Sequence, residues 1–419
     1  MRVSNLILVL LLTTFAKLAT ADVLLQGGEV ISGSKADPWR ADVLVRGGKI
    51  TQIGENLSAP EGVETVDISG KKVTTGIFNS HTQLGLREVG AVRDTVDDTS
   101  KNERVTAALR VADAINPSSV LIPHNRMLGV THAMVQPDSD AGLFAGSAAI
   151  ISLAANSETV KVDNAGMVLK LGSQGKDISG GSRAVTMALL REAFEDARDY
   201  RANKDSFNRG ARRDYQLSRH DLDALIPVLQ RRVPLIVHVE RAIDIERTID
   251  LAKNYNLRLI IVGAEEGWRV ADKLAENKIP VIMDPIANLP TSYDTLGSRL
   301  DNAKLLNDAG VTLLFTGMGW HNTHNAYLVR QSAGNAVANG LPYQVAIQAI
   351  TTNPAKVFGL SGLGDVKIGN AANLVVWSGD PLEPATIVEK VLIDGEDQPL
   401  VSRATRLRDR YFSRLRNPE

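Results

Sequence analysis

Cysteine is absent from all 419 residues. The chain therefore forms no disulfide, has no thiolate to bind zinc and has no cysteine for lipid attachment. A cysteine nucleophile is excluded as well, and the sequence has neither a Gly-x-Ser-x-Gly motif nor a phosphate-binding loop ending in Gly-Lys-Ser/Thr. Any metal must be bound by histidine, carboxylate or modified lysine side chains.

An excess of charge of either sign is also lacking, since 47 basic side chains face 48 acidic ones and the formal net charge is -1. Such a balance gives no overall field that would attract nucleic acid or anionic lipid, and we expect no nucleic-acid partner. Hydrophobic residues make up 44% and charged residues 23%, which is typical of a globular protein. The length suits a barrel of about 250 residues with an appended unit.

Long apolar runs are confined to the start of the chain. Arg2 precedes an apolar core over residues 6–15, and Ala19-Thr20-Ala21 has the small side chains of a cleavage site. This pattern predicts a signal peptide over residues 1–21 and a mature chain without a membrane span. We expect a periplasmic or secreted protein.

Both ends of the mature chain carry the period-two alternation of short strands joined by glycine turns. In the first part, Gly27-Gly28 and Gly47-Gly48 separate the apolar runs, and near the far end Asp394-Gly395 follows a similar run. We expect residues 22–74 and 360–402 to form one small β-sandwich domain from both termini. Residues 403–419 read as a basic helix or tail.

The middle of the chain, residues 75–359, alternates apolar strand-like runs with helical stretches. This order predicts a parallel sheet, and its length favours a closed (β/α)8 TIM-like barrel of the α/β class. Residues 187–203 are predicted to form a surface helix. The predicted strands are residues 131–136, 148–153, 234–239, 258–262, 280–283 and 311–315, and the clearest helices are residues 243–255, 266–276 and 303–309.

Two long segments resemble a known family. Residues 66–81, ending in Gly76-Ile77-Phe78-Asn79-Ser80-His81, look like the passage from β-sandwich to first barrel strand in metal-dependent amidohydrolases. Residues 352–377, with Thr352-Asn353-Pro354-Ala355 near their start, look like the exit from that barrel. The chain thus resembles this superfamily, and in particular its exported imidazolonepropionase-like branch.

The resemblance implies a divalent metal at the C-terminal mouth of the barrel, where it would lower the pKa of a bound water. His81 and His238 match two of the family's ligands. Three other positions depart from the pattern: Gln83 stands for the second histidine of strand one, Gly263-Ala264 for the histidine of strand six, and Thr316-Gly317-Met318 for the aspartate of strand eight. The metal-ligand set is therefore expected to be incomplete.

Further residues are candidates to rebuild the site. His321 and His324 follow strand eight, and Lys170 is the candidate for a carboxylated lysine, with an exposed structural lysine as the alternative. Glu265 and Glu266 are the candidate general bases. The remaining histidines are expected to be structural or exposed: His124, His132 and His220.

Two functions stay open. The first is hydrolysis of a non-peptide or dipeptide-like carbon–nitrogen bond by water activated at an altered one-metal site, with zinc as the expected ion. The second is an inactive amidohydrolase-fold protein, with no metal, that binds a small ligand or an active paralogue. A small molecule is the expected partner in either case, and a homo-oligomer is a further expectation.

Overall fold

A computed structural model describes residues 22–317, 319 and 323–416 of the chain. The predicted signal peptide and His321 lie outside these residues. No helix in the described ranges is long and apolar enough to cross a membrane. The described residues begin with five strands: β1 (Val23–Val30), β2 (Trp39–Arg46), β3 (Lys49–Gly54), β4 (Glu64–Asp67) and β5 (Lys72–Thr75).

Ten strands follow in the middle of the chain, and eight of them form one nearly closed barrel sheet in the order β15-β14-β13-β12-β11-β10-β8-β6, while β7 and β9 pair with each other. They are β6 (Ile77–Thr82), β7 (Thr99–Ser100), β8 (Val130–Val135), β9 (Asp138–Ser139), β10 (Phe144–Ser152), β11 (Val160–Lys170), β12 (Leu235–Val239), β13 (Leu259–Gly263), β14 (Val281–Met283) and β15 (Leu313–Phe315). The first and last strands meet where the Thr316 hydroxyl donates to the His81 carbonyl at 2.8 Å.

The barrel departs from the predicted all-parallel arrangement at one strand. Strand β10 pairs antiparallel with both β8 and β11. Only residues 136–143 and 153–159 connect it to these neighbours, and a parallel crossover needs a dozen or more residues. The remaining barrel strands are parallel, so their carboxyl ends meet at one mouth.

The helices lie mainly between the barrel strands. They are α1 (Leu121–Arg126), α2 (Gly172–Ile178), α3 (Arg183–Asn208), α4 (Arg219–Leu229), α5 (Ala242–Tyr255), α6 (Ala271–Glu276), α7 (Asn302–Asp308), α8 (Val329–Ala338), α9 (Tyr343–Ala349), α10 (Thr352–Val357) and α11 (Arg403–Arg416). Helix α3 is more than the predicted surface helix, because Leu190, Phe194 and Tyr200 on one face are fully buried. The predicted basic C-terminal segment is helical over α11.

The last three strands, β16 (Leu374–Trp377), β17 (Val388–Ile393) and β18 (Glu396–Asp397), join the first five in an eight-stranded sheet. Strand β16 pairs antiparallel with β5, so both ends of the chain meet in this sheet. The buried Trp377 indole donates to the Thr74 hydroxyl at 2.8 Å across that junction. The β-sandwich stays a prediction, because the described residues of both chain ends form one sheet here.

Side chains alternate across the barrel strands, as the period of two requires. One buried cluster contains Phe78, Met134, Val168, Ile236 and other strand residues that fill the interior. The other face of each strand packs against the helices in a larger core. Two residues further toward the carboxyl end, the same interior face carries Lys170 after Val168 and His238 after Ile236. The interior therefore becomes polar at the mouth.

Candidate active site at the barrel mouth

Lys170 and His238 end neighbouring strands on the interior face. The register of β11 and β12 pairs these two residues directly. Lys170 is only 5% exposed, so its reading as a surface lysine is wrong. The strand carries it inward because its second half is apolar and buried throughout.

Two imidazoles face each other at the mouth. The rings of His81 and His238 lie edge to face with centroids 5.1 Å apart. The His238 Nε2 atom lies 2.9 Å from the Gln136 Oε1 atom, just beyond β8. Burial lowers the pKa of His81 to about 4, and the nearby Lys170 charge lowers it further than the Asp138 charge raises it. Burial and Lys170 also hold the pKa of His238 well below its usual value, so both rings are neutral at pH 7.

A buried ion pair lies beside these rings. The Lys170 ammonium is 3.0 Å from the Asp138 carboxylate, which also accepts a hydrogen bond from Gln174 at 2.9 Å. Burial pushes the pKa of Asp138 upward, but Lys170 and the hydrogen bonds outweigh it, and the net pKa is lowered. The mouth thus holds a buried ammonium whose carboxylate partner is partly exposed.

Glu265 follows β13 at the same end of the barrel. Burial and the charge of Asp284, which follows β14, raise the pKa of Glu265 to about 7. The buried Glu265 Oε2 atom has no hydrogen-bond partner among the described residues. A carboxyl group that titrates near neutral pH suits proton transfer.

Glycine at position 263 makes room for another carboxylate. Gly263 has a φ of +95°, and a Cβ there would lie 2.1 Å from the Glu240 Oε2 atom. That oxygen is buried and lacks a hydrogen-bond partner within the described ranges. The place where the resemblance puts a histidine is therefore occupied by the side chain of Glu240, which follows β12.

Comparison with known proteins places this barrel in a family. The model of the Amidohydrolase family matches residues 181–397, slightly more than half of the chain. The chain belongs to the amidohydrolase family. An amidohydrolase structure from Thermotoga maritima MSB8 superposes with a TM-score of 0.81 and 27% identity, covering 91% of this chain and all of that one.

Curated amidohydrolase relatives are longer than the matched region. The chain is 26% identical over 400 residues to Amidohydrolase tasK of Hapsidospora irregularis, covering 87% of this chain and 40% of that protein. It is 40% identical over 63 residues to the dihydroorotase of Geobacter metallireducens, or 15% of each chain. The chain thus spans less than half the length of these relatives. A molinate hydrolase structure, 17% identical with a TM-score of 0.58, shares the fold.

Two other candidate residues have hydrogen-bond partners other than the imidazoles. The Glu266 carboxylate accepts a hydrogen bond from the Ala242 amide at 3.1 Å at the start of α5. The His324 Nε2 atom lies 3.0 Å from the Glu88 carbonyl. His321 lies outside the described residues. The structure therefore brings together His81, His238 and Lys170 but gives Glu266 and His324 other partners.

Among the described residues, the donor set at the mouth does not fit a divalent metal. In the described ranges, no group of three His, Cys, Asp or Glu side chains is arranged to bind one. Catalytic zinc usually has three protein ligands, and here the third neighbour of the two imidazoles is the Lys170 ammonium, which has no lone pair with which to coordinate a metal ion. The cation at this barrel mouth is the Lys170 ammonium, paired with Asp138.

Sequence reasoning missed Gln136, Asp138, Glu240 and Asp284. Gln136, Glu240 and Asp284 directly follow a barrel strand, which is where functional side chains of a barrel gather. Reading every polar residue at a strand end would have found Gln136, Glu240 and Asp284. The partnership of Asp138 with Lys170 depends on the loop that carries β9, and no local pattern indicates it.

Proposed function

We propose that this protein hydrolyses a non-peptide or dipeptide-like carbon–nitrogen bond at the mouth of its barrel. Membership of the amidohydrolase family supports hydrolysis, and relatives named amidohydrolase and dihydroorotase support the bond type. The observation that carries the proposal is Glu265, a buried carboxyl whose pKa is raised to about 7 beside a mouth that holds a fixed cation.

The roles follow from charge and position. The Glu265 carboxylate takes a proton from a water molecule whose oxygen attacks the carbonyl carbon of the substrate. The carbon–nitrogen bond then breaks, and Glu265 returns the proton to the leaving nitrogen, giving a carboxylic acid and an amine. Lys170 stabilises the negative charge that develops on the carbonyl oxygen. No step of this proposal passes through a metal.

The spacing of the strands leaves room for a substrate. Lys170 ends β11 and Glu265 follows β13, and β12 lies between them. Two strand spacings amount to about 10 Å, which is wide enough to place a scissile amide between base and cation. The neutral His81 and His238 rings supply hydrogen-bonding nitrogen atoms on the same side of the mouth as Lys170.

Several expectations from the sequence belong to this proposal. We infer cleavage of residues 1–21 and a periplasmic or secreted location, a relationship to the imidazolonepropionase-like branch, and a β-sandwich built from both termini. A homo-oligomer or a pair with an active paralogue is the proposed assembly. N-terminal sequencing and light scattering of the exported protein test the first and last of these.

The experiment is a substrate panel assayed by liquid chromatography of the products. Cyclic amides, N-acyl amino acids and dipeptides are incubated with the mature protein and with Glu265→Gln. A matched control is Glu276→Gln, because this side chain is exposed at the end of α6. We expect turnover by wild type and control and a loss of at least about a hundredfold in Glu265→Gln. Saturable binding of these compounds without turnover by the wild type would favour the inactive ligand-binding protein instead.

A further inference from the structure

A cavity opens at the end of the barrel opposite the candidate active site. Its walls include Pro234, Leu259 and Pro280, which stand at the starts of β12, β13 and β14. His238, Gly263 and Asp284 stand at the other ends of these strands. The cavity, here called the basal cavity, measures about 600 Å³, within the usual range for small-molecule sites.

Four cationic side chains line the basal cavity: Arg231, Lys253, Arg258 and Lys278. No aspartate or glutamate is among its lining residues. None of the four cations makes an ion pair with a carboxylate elsewhere in the described part of the chain. By contrast, Lys273 on nearby α6 pairs with Glu246 at 2.6 Å. The basal cavity therefore concentrates positive charge without a counter-ion.

The fold holds in place part of the ring of four cationic side chains, here called the rim. The turns that lead from α4, α5 and α6 into the next strands all open onto the same space. The Arg231 Nη1 atom donates to the Asn256 side-chain oxygen at 2.8 Å, and one Arg258 nitrogen donates to the Val357 carbonyl at 3.5 Å. The two guanidinium groups are thus tied to backbone and amide oxygens and keep further donors for a ligand.

The lining of the basal cavity also contains seven apolar residues, here called the floor. They are Ile249, Ala252, Leu257, Leu259, Ile260, Ile279 and Val357. An inorganic anion would leave this surface uncovered, and a neutral apolar molecule would leave the cations without partners. The combination matches an amphiphilic ligand whose apolar body covers the floor while its anionic group contacts the rim.

We propose that the basal cavity binds an organic anion that has an apolar body and one or two carboxylate, sulfonate or phosphate groups. The site is separate from the barrel mouth, and the inference does not rest on the proposed hydrolysis. Electrostatic attraction between these cations and the anionic group predicts affinity that falls as salt rises.

The probe is 8-anilinonaphthalene-1-sulfonate, which joins an aromatic body to a sulfonate, titrated by fluorescence into the mature full-length protein. We expect saturation at one probe per chain and weaker binding at 500 mM than at 50 mM sodium chloride. The variant Arg258→Gln/Lys278→Gln should weaken binding about tenfold. The control Lys176→Gln/Arg191→Gln removes the same charges elsewhere and should bind as the wild type does.

A charge-conserving pair separates loss of the site from loss of the fold. Arg258→Lys/Lys278→Arg should keep affinity within about threefold, and circular dichroism should show the same fold for all variants. Equal binding by the wild type and Arg258→Gln/Lys278→Gln would overturn the proposal. Equally tight binding of uncharged N-phenyl-1-naphthylamine would overturn its anionic part.

Discussion

Replacement of Glu265 by glutamine is expected to stabilise the protein while removing its activity. Burial and the neighbouring Asp284 charge raise the pKa of Glu265 from 4.5 to about 7. The folded state therefore binds more protons than the unfolded state between these two pH values. The contribution of the protonated Glu265 to the free energy of unfolding is fully present below pH 4.5 and is lost as the pH rises through 7.

The size of the effect follows from that difference in pKa. The full difference corresponds to a ceiling of about 3 kcal/mol of unfolding free energy. Because Glu265 is not fully shielded from solvent, screening reduces the expected gain to about 1–2 kcal/mol. Glutamine carries no charge at any of these pH values, so Glu265→Gln avoids the cost that the wild type bears above pH 7.

The assay is urea unfolding followed by tryptophan fluorescence from pH 4.5 to 8.0. The stability difference between Glu265→Gln and wild type should be near zero at pH 4.5 and reach its maximum above pH 7. The exposed Glu276→Gln serves as control and should follow the wild type at every pH. A stability difference that stays constant across this range, or a variant less stable than the wild type at pH 8, would refute the raised pKa of Glu265.

Three further predictions concern residues around the barrel. Gly263→Ala should lower the free energy of unfolding by about 1–3 kcal/mol, because φ at this position is +95° and the new Cβ would contact Glu240. An unchanged midpoint of urea unfolding would contradict this. Lys170→Met should lower the free energy of unfolding by about 2–4 kcal/mol, because Asp138 loses its cation. Adding Asp138→Asn should recover part of that loss. Strictly additive effects of the two substitutions would contradict the ion pair. Burial lowers the pKa of His132 to about 4, so stability should fall as the pH drops from 6.5 to 4. His132→Leu should reduce that fall by up to about 3 kcal/mol, and an identical pH profile would exclude His132 as its source.

The strand ends of the site differ in how well sequence indicates them. Pro234-Leu235-Ile236-Val237-His238 is an apolar run that stops at one histidine, so the position of His238 was predictable. Lys170 was harder, because β11 begins with the partly exposed residues Val160 to Asn164, which hide the strand from a search for apolar runs. The direction of β10 was readable in principle from its short connections, but the expected strand and helix alternation suggested a parallel strand.

The departures from the family pattern acquire a physical meaning only in three dimensions. Gly263 reads in sequence as a lost ligand, whereas the fold shows that its missing side chain admits the Glu240 carboxylate. Thr316, at the position expected for an aspartate, instead holds the first strand through the His81 carbonyl. These replacements depend on contacts between different strands, which no local pattern contains.

The positive charge of Lys170 is the feature on which the account of the mouth depends. A metal ion would have to bind the two imidazoles next to an ammonium, which carries no lone pair with which to complete the coordination. A lysine that had lost its charge through carboxylation would reverse this argument, because it would offer oxygen atoms in place of an ammonium.

Metal content and amide hydrolysis measured on one preparation test this central claim most directly. The mature protein is loaded with zinc in bicarbonate buffer, dialysed and analysed by mass spectrometry beside His81→Ala/His238→Ala, and the substrate panel is then run with and without a chelator. We expect well below one zinc per chain in both proteins, and hydrolysis by the wild type that the chelator leaves unchanged. About one zinc per chain, lost in the variant, together with hydrolysis that the chelator abolishes, would contradict the account.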